Sequence, residues 1–269
     1  MKPLIHFAHA NGVPSQVYRK LFEALSDEFD VIHVPLLGVD QRYPVDQHWN
    51  SLTRQVVDNI KQKAHGRKVI GMGHSLGGVL TFKAALQYPE LFERLVLLDP
   101  PLIMGRDSFM MHVAKALKIK AVDNLSPAAL SKRRRDHWDS RQQAAELLKP
   151  KALYQAFDPE CFDDYIRYAL TEDQQRGGVQ LTIPKQAEVD IFRTNPTIWW
   201  LPQPKLQVPA QLIVASEGPF LARKWPQKAQ KKFGMPFSVF QGGHMFPLEK
   251  PLELASMLKQ QLLTSDQAA

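Results

Sequence analysis

Short runs of apolar residues alternate along this chain with longer segments of helical periodicity, and this alternation restricts the fold more than any other feature. The runs are typical of strands that are buried on both faces, because their apolar residues follow one another with little polar interruption. They cover residues 4–8, 31–34, 69–73, 95–98, 211–215 and 237–240. Helical patterns lie between them at residues 18–25, 49–63 and 76–87, and a last one follows the sixth run at residues 252–263. The order predicts an α/β fold with a mostly parallel sheet of about six strands flanked by helices.

A long interval without a core strand separates the fourth run from the fifth. It extends over residues 101–207, and helical patterns occupy residues 108–119, 127–148 and 159–170 of it. An insertion of this size between two strands predicts a helical cap over one end of the sheet. We therefore expect a core domain formed by residues 1–100 and 208–269 and an inserted helical cap, or lid, formed by residues 101–207.

Length and cysteine content exclude several classes of protein. No apolar run in the 269 residues approaches the ~18 residues that span a bilayer, so no membrane span is expected. The first nine residues lack the pattern of a secretory signal. The single cysteine, Cys161, excludes an intramolecular disulfide and any multi-cysteine metal site. A reducing, cytoplasmic location is therefore expected.

The formal net charge of +7 raises the question of an anionic partner. The basic residues are spread along the chain, with local clusters only at residues 132–135 and 224–232. Neither cluster carries a zinc-finger, RNP-type or helix-turn-helix pattern, so we interpret them as solvated helix faces and expect no nucleic-acid partner. A basic protein that binds nucleic acid or an anionic membrane through residues 224–232 is the rival hypothesis. Zinc and nucleotide fingerprints are absent from the sequence, so no metal and no cofactor is expected.

The sharpest chemical signal is the segment Gly73-His74-Ser75-Leu76-Gly77-Gly78. It follows an apolar run directly and opens a helical pattern. This is the context of a nucleophile elbow, a strand-to-helix turn that exposes a serine hydroxyl. The residues that flank such a serine must be very small, and Gly73 and Gly77 meet that need. Ser75 is therefore the candidate nucleophile.

A candidate base lies near the C-terminal end, in Gly242-Gly243-His244. This segment follows the sixth run, and loops at the carboxyl ends of strands carry the functional groups of an α/β sheet. The two glycines let the backbone bring the imidazole of His244 close to the elbow. A neutral imidazole can accept the proton of a serine and later donate it to a leaving group. His74 is a poorer candidate, because its position in the elbow points its side chain away from the serine oxygen.

Together these segments resemble the α/β-hydrolase fold family. The likeness covers most of the chain outside residues 101–207, including the histidine-containing loop after the first run and the Leu-Leu-Asp-Pro end of the fourth. The family order of nucleophile, acid and histidine is satisfied by Ser75, an acid between, and His244. Many members insert a lid where residues 101–207 lie. The chain begins at a strand equivalent to the family's third, so the resemblance implies a sheet without the family's first two strands.

The resemblance leaves two candidates for the acid. Most members place an aspartate after the penultimate strand, where this chain has Gly218, with Glu217 one residue away. Other members place the acid after the strand that follows the nucleophile, where this chain has Asp99. We favour Asp99 and keep Glu217 as the alternative. Either carboxylate would orient the imidazole and stabilise the imidazolium that forms when the serine attacks.

An oxyanion hole made of two backbone N–H groups is also implied. One belongs to the residue after the nucleophile, Leu76. The other comes from the loop after the first run. Matching Ala10 to the family's glycine places this donor at Asn11, and a two-residue expansion of the loop makes Val13 the alternative. His9 is expected to order this loop rather than to take part in the chemistry.

The serine at the elbow decides among the functions known in the family. Dehalogenases and epoxide hydrolases of this fold use an aspartate there. The resemblance therefore implies a serine hydrolase that cleaves a carboxylic ester or thioester through an acyl-enzyme. A carbon–carbon bond hydrolase and a non-catalytic ligand-binding protein of the same fold are the alternatives, and the sequence leaves the oligomeric state open.

Apolar side chains of the predicted cap would suit a small-molecule substrate with an apolar acyl group. Each of them would fit equally well in the core of the cap. They are Phe109, Met110, Met111, Trp138, Phe157, Phe162, Trp199 and Trp200.

Overall fold

The computed structural model describes residues 1–117 and 127–265, in which strands and helices alternate. The strands are β1 (Leu4–Ala8), β2 (Asp30–His33), β3 (Val69–His74), β4 (Phe92–Leu98), β5 (His137–Trp138), β6 (Leu170–Glu172), β7 (Val179–Leu181), β8 (Ala210–Ala215) and β9 (Phe237–Phe240). The helices are α1 (Arg19–Leu25), α2 (Asn50–Lys63), α3 (Leu76–Gln87), α4 (Arg106–Ala116), α5 (Ala128–Arg133), α6 (Arg141–Leu148), α7 (Ala152–Gln155), α8 (Pro159–Tyr168), α9 (Lys185–Arg193), α10 (Pro219–Ala222), α11 (Trp225–Phe233), α12 (Phe246–Glu249) and α13 (Pro251–Ser265). Short 3-10 turns lie at Ser15–Tyr18, Gln47–Trp49 and Pro89–Leu91.

A six-stranded parallel sheet forms the centre of the protein, with the strand order β2-β1-β3-β4-β8-β9. This confirms the predicted α/β fold with a sheet of six strands. Strands β1 and β3 pair directly, yet β1 continues to β2 on one side while β3 continues to β4 on the other. The loops that leave β1 and β3 therefore diverge. A crevice at the carboxyl ends of such a strand pair is where open α/β sheets bind their ligands.

Both faces of the sheet are covered by helices, which explains the uninterrupted apolar runs. Alternate residues of β1 point to opposite faces, as in any strand. Ile5 and Phe7 enter a core that includes residues of α1 and α13, whereas Leu4 and Ala8 enter a core that includes residues of α2 and α3. Every residue of β1 and β3 is buried. The central strands are thus held between two helical layers, and only their carboxyl ends are free to carry a site.

The segment between β4 and β8 contains α4 to α9 and a small antiparallel sheet of order β5-β7-β6. The single helix predicted over residues 127–148 is wrong, because α5 and α6 are separate and β5 lies between them. The backbone becomes extended at Arg134, and Ser140 starts α6 by accepting a hydrogen bond from the N–H of Gln143. The helix predicted over residues 108–119 is found as α4, and residues 118 and 119 lie outside the described part. The role of this segment as a cap stays a prediction.

Residues 1–117 and 127–265 contain neither a membrane-spanning helix nor a cluster of metal-binding side chains. In this part of the chain no helix is both long and apolar enough to cross a membrane. The same residues contain no group of three or more histidine, cysteine, aspartate or glutamate side chains that could hold a metal ion.

A buried ion pair joins α5 to α9. Nη1 of Arg134 lies 2.6 and 2.9 Å from the two carboxylate oxygens of Glu188, and Nη2 donates to the hydroxyl of Tyr165 at 2.9 Å. The backbone carbonyl of Glu188 accepts a hydrogen bond from Nδ2 of Asn11 at 3.0 Å, which ties the inserted segment to the loop after β1. Burial raises the pKa of the Glu188 carboxyl, and the guanidinium of Arg134 opposes that rise.

Replacing Arg134 by methionine is expected to lower the free energy of unfolding by about 3–5 kcal/mol near pH 8, because it leaves the Glu188 carboxylate buried without its cation. The loss should shrink toward pH 5. A carboxyl whose pKa is raised in the folded state does not lower the free energy of unfolding at a pH below its ordinary pKa of 4.5, because it is protonated in both states. The loss of free energy of unfolding grows as the pH rises from 4.5 toward the raised pKa of the folded state. Urea denaturation at pH 8 and pH 5 measures both effects.

The exposed ion pair between Lys185 and Asp136, with a distance of 3.0 Å, provides the control. Lys185→Met should cost at most about 1 kcal/mol at either pH, because water screens the pair. If Arg134→Met lowers the free energy of unfolding equally at both pH values, the charge of Glu188 is not the cause of the loss.

Candidate active site

Ser75 lies on a sharp turn between β3 and α3. Its backbone has φ 53° and ψ −115°, a conformation that residues with a side chain rarely adopt. The N–H of Ser75 donates to the carbonyl of Leu98 at the end of β4, at 2.9 Å, and this bond holds the turn against the sheet. The side chain of Ser75 is partly exposed, although the residues on both sides of it are buried. The turn therefore presents the hydroxyl at the carboxyl edge of the sheet.

Two glycines leave the space that this turn requires. A Cβ on Gly73 would lie 2.4 Å from the backbone of Gly77, and a Cβ on Gly77 would lie 2.0 Å from the carbonyl oxygen of Ala8. The N–H of Gly77 donates to the carbonyl of His9 at 3.1 Å. The start of α3 thus packs directly on the loop after β1, and any larger residue at either glycine would push the two apart.

The imidazole of His244 lies between Ser75 and Asp99. Its Nε2 is 3.0 Å from Oγ of Ser75, and its Nδ1 is 2.6 Å from Oδ2 of Asp99. A carboxylate only accepts hydrogen bonds, so Nδ1 carries the proton and Nε2 is free to accept one from the serine hydroxyl. The Asp99 side chain is 1% exposed and that of His244 is 33% exposed. The arrangement has the contacts that attack by a serine requires, in the order of nucleophile, base and acid.

Asp99 is held in place by the backbone of β8. Its N–H donates to the carbonyl of Ile213 at 2.7 Å, and its Oδ1 accepts a hydrogen bond from the N–H of Ala215 at 3.1 Å. One carboxylate oxygen is therefore bound to β8 and the other to His244. This anchoring fixes the direction of the carboxylate before any substrate is present.

Glu217, the alternative acid, has no hydrogen bond to the His244 ring among the described contacts. This residue is exposed on the turn after β8, and the Nδ1 atom that a competing acid would need is already bonded to Asp99. Gly218 faces the aspartate, since a Cβ there would lie 3.4 Å from Oδ2 of Asp99. The geometry therefore favours Asp99, as the sequence analysis did.

The N–H groups of Leu76 and Asn11 belong to two segments in contact, the start of α3 and the loop after β1. Leu76 is the first residue of α3, so its N–H has no acceptor within the helix. The N–H of Val13 donates to the carbonyl of Ala10 at 3.1 Å and is thereby engaged. This contact favours Asn11 over Val13, and the assignment of the hole to Asn11 and Leu76 stays a prediction.

His9 orders the loop after β1 through both nitrogens of its ring. Nδ1 lies 2.7 Å from the carbonyl oxygen of Ala10, and Nε2 accepts a hydrogen bond from the N–H of Leu37 at 2.8 Å. Burial lowers the pKa of His9 to about 4, so the ring is neutral near pH 7. Its two bonds tie together the loops that follow β1 and β2.

Three side chains around the site make contacts that the sequence patterns did not predict. His74 bonds the backbone of His244 and the hydroxyl of Tyr18, and Phe220 lies edge-on to the His244 ring with 5.5 Å between centroids. Tyr18 is the first residue of the helical pattern at residues 18–25, which predicts no polar contact for it, and Phe220 belongs to no motif. The position of His74 next to Ser75 was the available signal.

The apolar residues predicted to line a pocket are divided between core and surface. Several are buried in the two hydrophobic cores: Trp138, Phe157, Phe162 and Trp199. Others are exposed: Phe109, Met110 and Trp200. An apolar lining above Ser75 stays a prediction.

The sequence matches the model of one known protein family. The model of the alpha/beta hydrolase family matches residues 7–257, which is nearly the whole chain. The chain belongs to this family. The resemblance drawn from the elbow and the C-terminal histidine is thereby confirmed.

The curated relatives of this alpha/beta hydrolase include a thioesterase and an esterase. A type I acyl-CoA thioesterase, mpaH, of Penicillium brevicompactum is 24% identical over 216 residues, which are 67% of this chain and 47% of the relative. A pimeloyl-[acyl-carrier protein] methyl ester esterase of Shewanella woodyi is 34% identical over 100 residues, 37% of each chain. The chain thus spans half or less of the length of these relatives.

A solved structure shows the same fold over almost the full length. E-2-(acetamidomethylene)succinate hydrolase superposes with a TM-score of 0.74 and 18% sequence identity, covering 97% of this chain and 91% of that one. At this identity the likeness concerns the fold alone.

Proposed function

We propose that this protein is a serine hydrolase that cleaves a carboxylic ester or a thioester through an acyl-enzyme. The observation that carries the proposal is the unbroken line of contacts from Ser75 through His244 to Asp99, with distances of 3.0 and 2.6 Å. A serine hydroxyl is a weak nucleophile by itself. It becomes reactive when an adjacent base removes its proton during the attack.

The proposed acylation begins when Oγ of Ser75 attacks the carbonyl carbon of the substrate and its proton passes to Nε2 of His244. Asp99, bonded to Nδ1, holds the imidazole in this orientation and stabilises the imidazolium. The same proton then passes to the leaving alcohol or thiol as the bond from carbon to oxygen or sulfur breaks. In deacylation, water gives a proton to Nε2 of His244 and attacks the acyl carbon. The bond from the acyl carbon to Oγ of Ser75 then breaks, His244 returns the proton to Oγ, and the acid is released.

The negative charge that forms on the substrate oxygen requires donors that are already oriented. We assign this role to the backbone N–H groups of Leu76 and Asn11. Leu76 opens α3, where the N-terminal end of the helix favours negative charge. The hydrogen bond between the Asn11 side chain and the carbonyl of Glu188 links this loop to the inserted segment.

The substrate class rests on the relatives. An acyl-CoA thioesterase and a methyl ester esterase both cleave an acyl bond, of a thioester in the first and an ester in the second. We assign to this chain a small-molecule acyl substrate with an apolar acyl group, and to residues 101–207 the role of a cap over Ser75. A carbon–carbon bond hydrolase and a non-catalytic binding protein are the outcomes that would replace this proposal.

A fluorophosphonate probe and a panel of acyl substrates test the proposed function. We expect one probe adduct by intact mass, located on Ser75 by peptide mapping, because His244 activates this hydroxyl. p-Nitrophenyl esters and S-acyl N-acetylcysteamine thioesters of increasing chain length should be hydrolysed, with the longer apolar acyl groups preferred. Absence of both labelling and turnover would favour a non-catalytic protein. Cleavage of a β-diketone without cleavage of any ester would favour a carbon–carbon hydrolase.

A further inference from the structure

A chain of buried hydrogen bonds connects the elbow with two loops of the site. Nε2 of His74 lies 2.8 Å from the backbone carbonyl oxygen of His244, and Nδ1 lies 2.7 Å from the hydroxyl of Tyr18. The same hydroxyl lies 3.3 Å from the N–H nitrogen of Ala10. His74 and Tyr18 are both 0% exposed. The loop of the base is therefore joined to the loop that carries Asn11 through the residue before the nucleophile.

The donors and acceptors in this chain permit one assignment. The two backbone ends have fixed roles, since the carbonyl of His244 accepts and the N–H of Ala10 donates. Nε2 of His74 must donate to that carbonyl, so Nδ1 of the neutral ring accepts from the Tyr18 hydroxyl, and the tyrosine oxygen accepts from Ala10. Burial, and secondarily the charge of a protonated His244 nearby, hold the pKa of His74 well below its ordinary value, which keeps the ring neutral.

The surroundings make these bonds hard to replace. The ring of Tyr18 packs edge-on to His74 with 5.8 Å between centroids and against Phe7 with 4.7 Å. Water has little access to such a position, so the loss of one bond would leave a buried polar group unpaired. The His74 ring also lies 5.2 Å from the His244 ring, which places the support directly beside the base.

We propose that His74 and Tyr18 are positioning residues that hold the backbone of His244 at the distance from Ser75 required for proton transfer. This inference rests on the proposed function. His74 adjoins Ser75 in the chain, so a bond from its side chain to the His244 carbonyl relates nucleophile and base through very few rotatable bonds. The N–H groups of Gly242 and Gly243 are bonded to Oγ of Ser216 and to the carboxylate of Glu249, whereas the backbone carbonyl of His244 itself is bonded to His74. A displacement of about 1 Å at a reacting group can cost about 100-fold in rate.

Two substitutions of His74 separate its two hydrogen bonds. The amide nitrogen of glutamine reaches the place of Nε2, whereas the amide of asparagine reaches only the place of Nδ1. With p-nitrophenyl butyrate we expect His74→Asn to lower kcat at least about 30-fold with KM changed less than about threefold, and His74→Gln to restore kcat to within about fivefold of the wild type. Tyr18→Phe, which removes the partner of Nδ1 and keeps the bond to His244, should give an intermediate loss.

His6→Asn is the matched control. His6 is a histidine of β1 that is also 0% exposed, and its Nε2 lies 3.0 Å from Oδ1 of Asn59. This variant should unfold at a lower urea concentration while kcat per active site, titrated with fluorophosphonate, stays at the wild-type value. The proton NMR signal of His244 Nδ1–H is a second readout. It should keep its position in His74→Gln and shift or broaden in His74→Asn.

The possible results distinguish this inference from the proposed function. Suppose that the wild type is active and that His74→Asn has the wild-type kcat per titrated site. This result overturns the positioning role, and the proposed hydrolase function stands. Equal losses of kcat in His74→Asn and His74→Gln also overturn the positioning role, because the bond to His244 would then not be the cause. A wild type that neither labels nor hydrolyses any substrate overturns the proposed function and this inference with it.

Discussion

Replacing Ser75 by alanine is expected to abolish hydrolysis of the whole substrate panel and all labelling by fluorophosphonate. Loss of the nucleophile of a serine hydrolase typically lowers kcat by about 10⁶-fold, since no acyl-enzyme can form. The fold should be unaffected, because the hydroxyl is partly exposed and bonds His244 rather than core residues. Steady-state kinetics, intact-mass labelling and urea denaturation of the purified variant measure the three parts of this expectation.

Ser26→Ala provides the comparison for that experiment. Ser26 is exposed and its hydroxyl bonds only locally, to the carbonyl of Glu23 at 2.7 Å among the described contacts. The control should label and turn over like the wild type. Undiminished turnover in folded Ser75→Ala protein would remove Ser75 from the role of nucleophile.

The second large effect is expected at Asp99. Oδ1 of this residue accepts a hydrogen bond from the N–H of Ala215, and a backbone N–H can only donate. In Asp99→Asn the amide oxygen must therefore stay on Ala215, which turns the NH₂ group toward Nδ1 of His244. The imidazole would then carry its proton on Nε2, where it cannot accept the proton of Ser75. A change of this kind costs about 10⁴ in kcat in the serine proteases.

Glu217→Gln is the matched comparison for Asp99→Asn. Glu217 lies exposed on the neighbouring turn, so the loss of its charge should lower kcat less than about tenfold. Kinetics on both variants, with denaturation curves to establish that each is folded, rank the two acids. The reverse ranking would transfer the role of the acid to Glu217, and nitrogen NMR of His244 would report the tautomer directly.

Much of the fold was predictable because the relevant physics is local. A strand buried on both faces needs an apolar run, and the predicted range 4–8 coincides with β1, in which every residue is buried. The predicted range 237–240 coincides with the edge strand β9. The helix predicted over residues 76–87 coincides with α3. The elbow was predictable from its motif, a serine between two glycines directly after an apolar run, although the backbone that excludes a larger residue at Gly77 belongs to the distant Ala8.

The inserted segment was the least predictable part of the fold. Strands as short as β5, β6 and β7 contain too few residues for a periodic pattern. They are defined by the hydrogen bonds of their pairing, which the sequence does not show. The end of α5 likewise depends on tertiary contacts. Arg134 leaves the helix and pairs with Glu188, which is 54 residues away in the chain.

Periodicity and local motifs were enough to predict the α/β fold, the six strands, the serine at the elbow and the loops at the carboxyl ends of the strands that carry candidate groups. Which of these groups meet depends on how the strands pack against one another. Asp99 and Glu217 both follow strands, and pairing of β4 with β8 places Asp99 between Ala215 and His244, 145 residues along the chain from that histidine. The hydrogen bond between the His74 ring and the backbone of His244 joins residues that are 170 positions apart. Periodicity specifies each element through its own residues, whereas a hydrogen bond between distant side chains exists only after packing has fixed the positions of both.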